Sequence, residues 1–274
     1  MNTEIINNVK IKPVIVKEED EIVAGSDLFP TAYSNIFFVA SKNSGKTNLL
    51  YNCLKKCVNK HTTVFLFAPT IKKDSTYKAI ISMLEMKKCA INTYTDLYDD
   101  NGVDILKEII HSLNEPEEIV VKPVVIEPKV KMNFGILEKK DEKPKTPKEK
   151  KKKGKIYAEN IVCLDDFGSS LRSGTINQIL KINRHTLKGK VFLLSHYITD
   201  IQPQAQRQLD YIILFPGQNE ENLFKVYNGL GLTISFDDFM QAYRYATEKK
   251  YNFLYVDVKN NKLRKNFNEE INFN

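Results

Sequence analysis

Short apolar runs bounded by polar residues recur along the chain and alternate with stretches of helical period. Asn35-Ile36-Phe37-Phe38-Val39-Ala40 is too short for a helix and apolar through its centre, which predicts a buried strand. Residues 62–68, 161–164, 191–194 and 211–215 read the same way. Between the first two runs, residues 46–58 set Leu49, Leu50, Cys53, Leu54 and Cys57 on one helical stripe. Helical pattern returns at 77–86, 104–113 and 174–184, and Ser235 can cap a helix to about Lys249. A hairpin follows, with strands at 253–258 and 263–267 and a turn at Asn260-Asn261. Residues 9–16 alternate loosely, so 1–30 reads as an edge strand and connector ending near Pro30. Short buried strands alternating with amphipathic helices predict an α/β fold, a mostly parallel sheet covered on both faces. Ligands bind beyond the carboxyl ends of such strands, and the chemically suggestive residues are expected there.

Composition narrows the class. A chain of 274 residues with 42% hydrophobic residues can bury a large core, and no apolar run approaches a membrane span. We read it as a single domain over 1–274, with the helix and hairpin at 235–274 closing it. The first residues lack the basic-then-apolar layout of a signal peptide, and none of the 4 cysteines forms a CxxC pair. Both features predict an intracellular protein. The charge is local. Residues 139–155 hold ten lysines and three acidic residues, a net +7, equal to the net charge of the whole chain, +7. A uniformly basic coat is excluded, and a neutral globule with one basic appendage is left. Five of the 10 prolines fall within 114–155, which predicts a flexible inserted loop. Its lysines read equally as a solvated run or as a contact to a nucleic-acid backbone.

Ala40-Ser41-Lys42-Asn43-Ser44-Gly45-Lys46-Thr47 follows a predicted strand and opens a predicted helix. This is a phosphate-binding loop with Ala40 in place of the usual first glycine. Gly45 frees the backbone to turn N–H groups toward phosphate oxygens, and the helix dipole favours an anion there. Lys46 carries a charge to the β- and γ-phosphates of ATP, and Thr47 offers a hydroxyl to Mg²⁺.

The strand at 161–164 runs into Asp165-Asp166. In ATPases with this loop the first acid holds Mg²⁺ and the second orients and deprotonates water. On a regular strand two adjacent side chains point to opposite faces, which gives the acids separate work. Ser195 or His196, ending the fourth strand, is a candidate sensor of the γ-phosphate. Arg184 and Arg207 stand out among mostly lysine cations, and a guanidinium can stabilise the transferring phosphoryl group from a neighbouring subunit.

Together these segments resemble the FtsK–HerA superfamily. The loop AxxxxGKT, the run ending LDDF, the Arg184-His185 pair in KINRHTLKGKVFLLSHY and the segment QPQAQRQLDYIILFPG carry the likeness. The resemblance covers about 35–217 and is strongest to the genome-packaging ATPases of large DNA viruses, virophages and Polinton-type elements. It implies a RecA-like fold of the ASCE class and a homo-oligomeric ring, commonly hexameric. It implies movement of double-stranded DNA into a capsid by ATP hydrolysis, with a capsid or portal-type partner and no membrane. The host cytoplasm, a virus factory or the virion would be its place. The family's sensor is usually Gln, and Ser195-His196 departs from it.

Two other classes fit a phosphate loop: a kinase for a small acceptor such as a nucleotide, and a nucleotide-dependent scaffold with little hydrolysis. A kinase lid normally carries several arginines, which are scarce here. Cys53, Cys57 and His61 share a helical spacing, but free cysteines on a core stripe are the simpler reading. Tyr243, Tyr245, Tyr251 and Tyr255 are read chiefly as packing for the C-terminal helix and hairpin, with base stacking as the alternative.

Overall fold

A computed structural model describes residues 22–114 and 155–273. The expected strand at 9–16 and the basic run at 139–154 lie outside the described residues, as does nearly all of the 114–155 insertion. In chain order the elements begin with β1 (Ile22–Val23), β2 (Ser34–Val39), α1 (Lys46–Cys57), β3 (Thr63–Phe67), α2 (Ser75–Met86), β4 (Ala90–Tyr94) and α3 (Ile105–Asn114). They continue with β5 (Lys155–Ile156), β6 (Asn160–Asp165), α4 (Gly174–Ile182), β7 (Gly189–Ser195), α5 (Pro203–Gln206) and β8 (Tyr211–Leu214). The chain closes with α6 (Glu220–Leu230), α7 (Phe236–Ala246), β9 (Leu254–Asp257), β10 (Lys262–Lys265) and β11 (Glu269–Ile271).

The main sheet has 9 strands in the order β11-β10-β9-β8-β2-β7-β6-β3-β4. From β8 to β4 every pairing is parallel, and β9 to β11 add antiparallel strands at one edge. The hairpin expected at 253–267 is therefore part of the main sheet. β1 and β5 form a separate two-stranded parallel pair.

The apolar runs are explained by burial on both faces. Along β2, Phe37 and Val39 enter one core while Ile36, Phe38 and Ala40 enter the other. The same alternation divides Val191 and Leu193 from Phe192 and Leu194 in β7. α1 and α2 cover the second face, and α3, α4 and α7 cover the first. Cys53 and Cys57 are buried on the α1 stripe, where burial pushes both thiols up. Asp74, Ser173, Asn219 and Ser235 each accept a backbone N–H at the start of a helix. Among the described residues no helix is long and apolar enough to cross a membrane.

The helix expected at 174–184 ends at Ile182 and widens into a π-helical turn, Asn183–Leu187. The widening buries Asn183, whose amide donates to Asn35 Oδ1 (2.8 Å) and whose carbonyl oxygen accepts from Gly189 N (3.2 Å). Asn35 in turn donates to Leu180 O (2.9 Å) and Gln208 O (2.7 Å). This amide network ties α4, β2 and β7 together at the amino ends of the strands.

Gly189 stands opposite Asn160 in the β6–β7 register. A Cβ at Gly189 would lie 2.2 Å from the carbonyl oxygen of Asn160, which is backbone and cannot swing away. Gly189→Ala should therefore force the two strands apart and cost about 3 kcal/mol, read as a lower urea midpoint. An unchanged midpoint would contradict this register.

Candidate active site

The parallel register brings three strand ends level. Val39 pairs with Ser195 and Asp165 pairs with Leu194, so the loop after β2, the end of β7 and the end of β6 open on one side. The loop turns through two left-handed residues, Asn43 (φ 62°) and Gly45 (φ 92°). Gly45 is the N-cap of α1 and supplies no side-chain cap, so the first N–H groups of α1 face the cavity uncapped. The first turn of α1 has no acidic residue to compete for them. The cavity holds about 600 Å³ and is lined by residues 42–48, with Thr70, Asp74, Thr76, Asp165, Asp166, His196 and Tyr251.

Lys46 reaches both acids. Its Nζ lies 3.1 Å from Asp165 Oδ1 and 3.5 Å from Asp166 Oδ1. Asp165 is buried, and its Oδ2 accepts from Thr47 Oγ1 (3.2 Å) and from the Tyr77 hydroxyl (2.6 Å). The expectation that the acids face apart fails for a local reason. The strand ends at Asp165, and Asp166 is left-handed (φ 67°), so its carboxylate swings back toward Lys46. His196 fixes the second acid, with Nε2 3.2 Å from Asp166 Oδ1 and Nδ1 2.8 Å from Ala40 O. A carbonyl only accepts, so Nδ1 donates in that contact; a carboxylate also only accepts, so the Asp166 contact is a bond only with a second N–H, at Nε2.

Three buried polar atoms at this cavity have no hydrogen-bond partner: Ser44 Oγ, Lys46 Nζ and Asp165 Oδ1. The Lys46–Asp165 contact is within ion-pair distance but is not aligned as a hydrogen bond. A buried donor, hydroxyl and carboxylate left unsatisfied are costly unless a ligand completes them. The set fits a polyphosphate with Mg²⁺: an ammonium and uncapped N–H groups for the anion, a hydroxyl and a carboxylate oxygen for a hard cation.

Ser195 and His196 divide. Ser195 is buried and its hydroxyl donates to Asp200, while His196 lines the cavity. Tyr77 went unseen in the sequence because it lies on the buried stripe of α2 and reads as core. Burial, and secondarily the Asp165 carboxylate, push its hydroxyl far above the ordinary tyrosine range.

The arginines overturn the expectation that all the chemistry lies at carboxyl ends. Arg184 donates to Asp210 Oδ1 (2.8 Å), and Asp210 Oδ2 accepts from Asn35 N (2.9 Å) at the start of β2. With Lys181, His185, Arg207 and Lys259 it lines a second cavity of about 520 Å³ at the amino ends. Connectivity requires this. A crossover helix runs back against its strands, so a residue between the end of α4 and the start of β7 is returned to the amino end. Arg207, just before β8, is there for the same reason. The length of β2 alone puts roughly 17 Å between the two ends.

No known family description and no curated protein matches the chain. Solved structures resemble it, among them two of viral ATPases. One is the genome packaging NTPase B204 from Sulfolobus turreted icosahedral virus 2 in complex with AMPPCP, 15% identical, covering 85% of this chain and 97% of that one with a TM-score of 0.51. The other is B204, the DNA-packaging ATPase from Sulfolobus turreted icosahedral virus, 15% identical, covering 84% and 95% with a TM-score of 0.50. Likeness at this identity shows the fold. The chain has the mostly parallel α/β arrangement of those ATPases, as the RecA-like expectation requires.

Tyr77→Phe keeps the ring and removes one donor from the buried Asp165 carboxylate. The expected loss is about 2 kcal/mol of stability, measured by urea unfolding. A variant as stable as the parent would mean that the hydroxyl does not hold Asp165.

Proposed function

We propose that the chain is an ATPase of the FtsK–HerA genome-packaging type, which drives double-stranded DNA into a viral capsid. One observation carries the reading: Lys46, Thr47, Asp165 and Asp166 meet at a phosphate loop where buried polar atoms await a ligand. The fold shared with two viral packaging ATPases supports the same task here. A virophage-type source agrees with the chain's wealth of Lys and Asn.

The backbone N–H groups of Ser41, Lys42, Asn43, Gly45, Lys46 and Thr47 form the cradle for the phosphates of ATP; Ser44 N donates within the loop to Ser41 O (3.3 Å), and Ala40, whose N–H donates to Ser195 O (3.0 Å), anchors the loop to β7. Lys46 leaves its ion pairs to meet the β- and γ-oxygens. Thr47 and Asp165 would hold Mg²⁺, which would supply positive charge against the negative charge of the transferring phosphoryl group. Asp166 takes a proton from the attacking water as the water oxygen bonds to the γ-phosphorus and the bond from the γ-phosphorus to the ADP oxygen breaks, releasing ADP and phosphate. His196 orients Asp166 and is the sensor in this scheme; the hydroxyl of Ser195 is committed to Asp200. Arg184 and Arg207 lie at the opposite end of the strands from their own loop, so one or the other serves a neighbour's γ-phosphate in a ring. The lysines of 139–155 contact the DNA backbone. A capsid-side partner and an intracellular or virion location belong to the same reading.

Asp166→Asn should bind ATP normally and lose nearly all DNA-stimulated hydrolysis, because the metal shell at Asp165 is untouched. Normal turnover would remove Asp166 as the base. Lys46→Ala should instead lose ATP affinity itself, read by equilibrium titration.

Arg184→Ala and Asp166→Asn should each be inactive by different routes. Mixed in equal amounts before assembly, about one interface in four combines an intact acid with an intact arginine, and single-turnover hydrolysis should partly return. Co-assembly without recovery would exclude Arg184 in trans and move the test to Arg207.

A further inference from the structure

A second, smaller cavity opens beside the phosphate loop. It holds about 220 Å³, and its walls include Gly45, Asn48, Asn52, Phe215, Tyr251 and Phe253. Gly45, Asn48 and Tyr251 also line the larger phosphate cavity, so the two spaces adjoin. The chemistry changes from one to the other. The larger is walled by Lys46, Asp165 and Asp166, the smaller by aromatic rings and by two asparagines one turn apart on α1.

Tyr251 stands between them in a backbone conformation that bulky residues rarely adopt, φ 71°. Its side chain is not used for packing: the residue is 57% exposed, while Tyr243 and Tyr255 are buried. One edge of the ring rests on the phosphate loop. A Cβ at Gly45 would lie 3.1 Å from Tyr251 Cδ1, so the missing side chain of Gly45 admits the ring. Lys250 Nζ lies 4.9 Å from the ring centroid, over one face. An exposed ring held in a strained turn against a ligand loop is a feature that packing alone does not maintain.

We propose that this cavity is the nucleobase site and that Tyr251 is its stacking residue. The proposal rests on the nucleotide reading above and adds what recognises the base. Tyr251 offers a flat π-face beside the phosphate loop, from which the base displaces Lys250. Phe215 and Phe253 supply the apolar floor. Asn52 Nδ2 donates to Asn48 O (2.9 Å), which leaves its amide oxygen, its second N–H and the Asn48 side chain for the base edge.

The test separates base from phosphate. MgATP and inorganic tripolyphosphate are titrated against the full chain by calorimetry, for the parent, Tyr251→Asn and Tyr251→Phe. Asn tolerates φ above zero, so the turn is kept while the ring is lost. Tyr251→Asn should weaken ATP about tenfold and leave tripolyphosphate unchanged, and Tyr251→Phe should stay within about twofold of the parent for both. Tyr251→Asn binding ATP as the parent does, or losing ATP and tripolyphosphate equally, would overturn the stacking role. A parent that binds tripolyphosphate as tightly as ATP would overturn the base site and leave the phosphate loop standing. A parent that binds neither overturns the nucleotide reading itself.

Discussion

The ammonium of Lys46 faces two carboxylates and is hydrogen-bonded to neither. A mostly buried cation in that position is stabilised by charge but leaves its three donors unfilled, and desolvation makes this expensive. The arrangement holds only because the sheet forces it. β7 separates β2 from β6, and the parallel register across all three sets the loop and the acids level. On the proposed reading, a polyphosphate entering the cavity would supply oxygens to the ammonium and free both carboxylates for other work, the ion pairs keeping the site formed until then.

The second constraint is the left-handed residue at Asp166. An ordinary strand end would have sent Asp165 and Asp166 to opposite faces. One reversed φ brings both to Lys46, and His196 then ties the second acid to the loop through Ala40. Loop, first acid, second acid and histidine become one hydrogen-bonded and ion-paired unit with members from three strands. Tyr77 extends it into α2.

The parts of this protein legible in the sequence were those with a strong local signal. The runs at 35–40, 161–164 and 191–194 are buried on both faces and could be nothing but strands. The phosphate loop declared itself by spacing. β4 was missed because Ala90–Tyr94 is a half-exposed edge with Asn and Thr in it, and it starts just after α2 ends. α6 was missed because its cap, Asn219, follows Pro216 and Gly217 in what reads as a loop. At the site, Tyr77 was illegible and Tyr251 was legible only as one of four tyrosines with stacking as the second reading, and both for one reason. A tyrosine pattern shows which face a ring is on and nothing of what its hydroxyl or π-face meets. Tertiary geometry alone separates Tyr251 at the loop from Tyr255 in the core.

The placement of the arginines follows from connectivity. In a parallel sheet every crossover delivers the chain to an amino end, so a residue just before a strand cannot lie beside the phosphate loop of its own subunit. β2 joins the two ends. Its carboxyl end leads into the loop, and at its amino end Asn35 N donates to Asp210, the partner of Arg184. Its six residues are all buried and paired on both sides, to β7 and β8. A close-packed strand held this way cannot shift at one end alone. β2 therefore joins the loop to the cavity lined by Arg184 and Arg207 through one continuous, buried and paired strand. On the proposed ring reading that cavity would face the next subunit's nucleotide, and β2 would be the shortest covalent path between one site and the arginine offered to another.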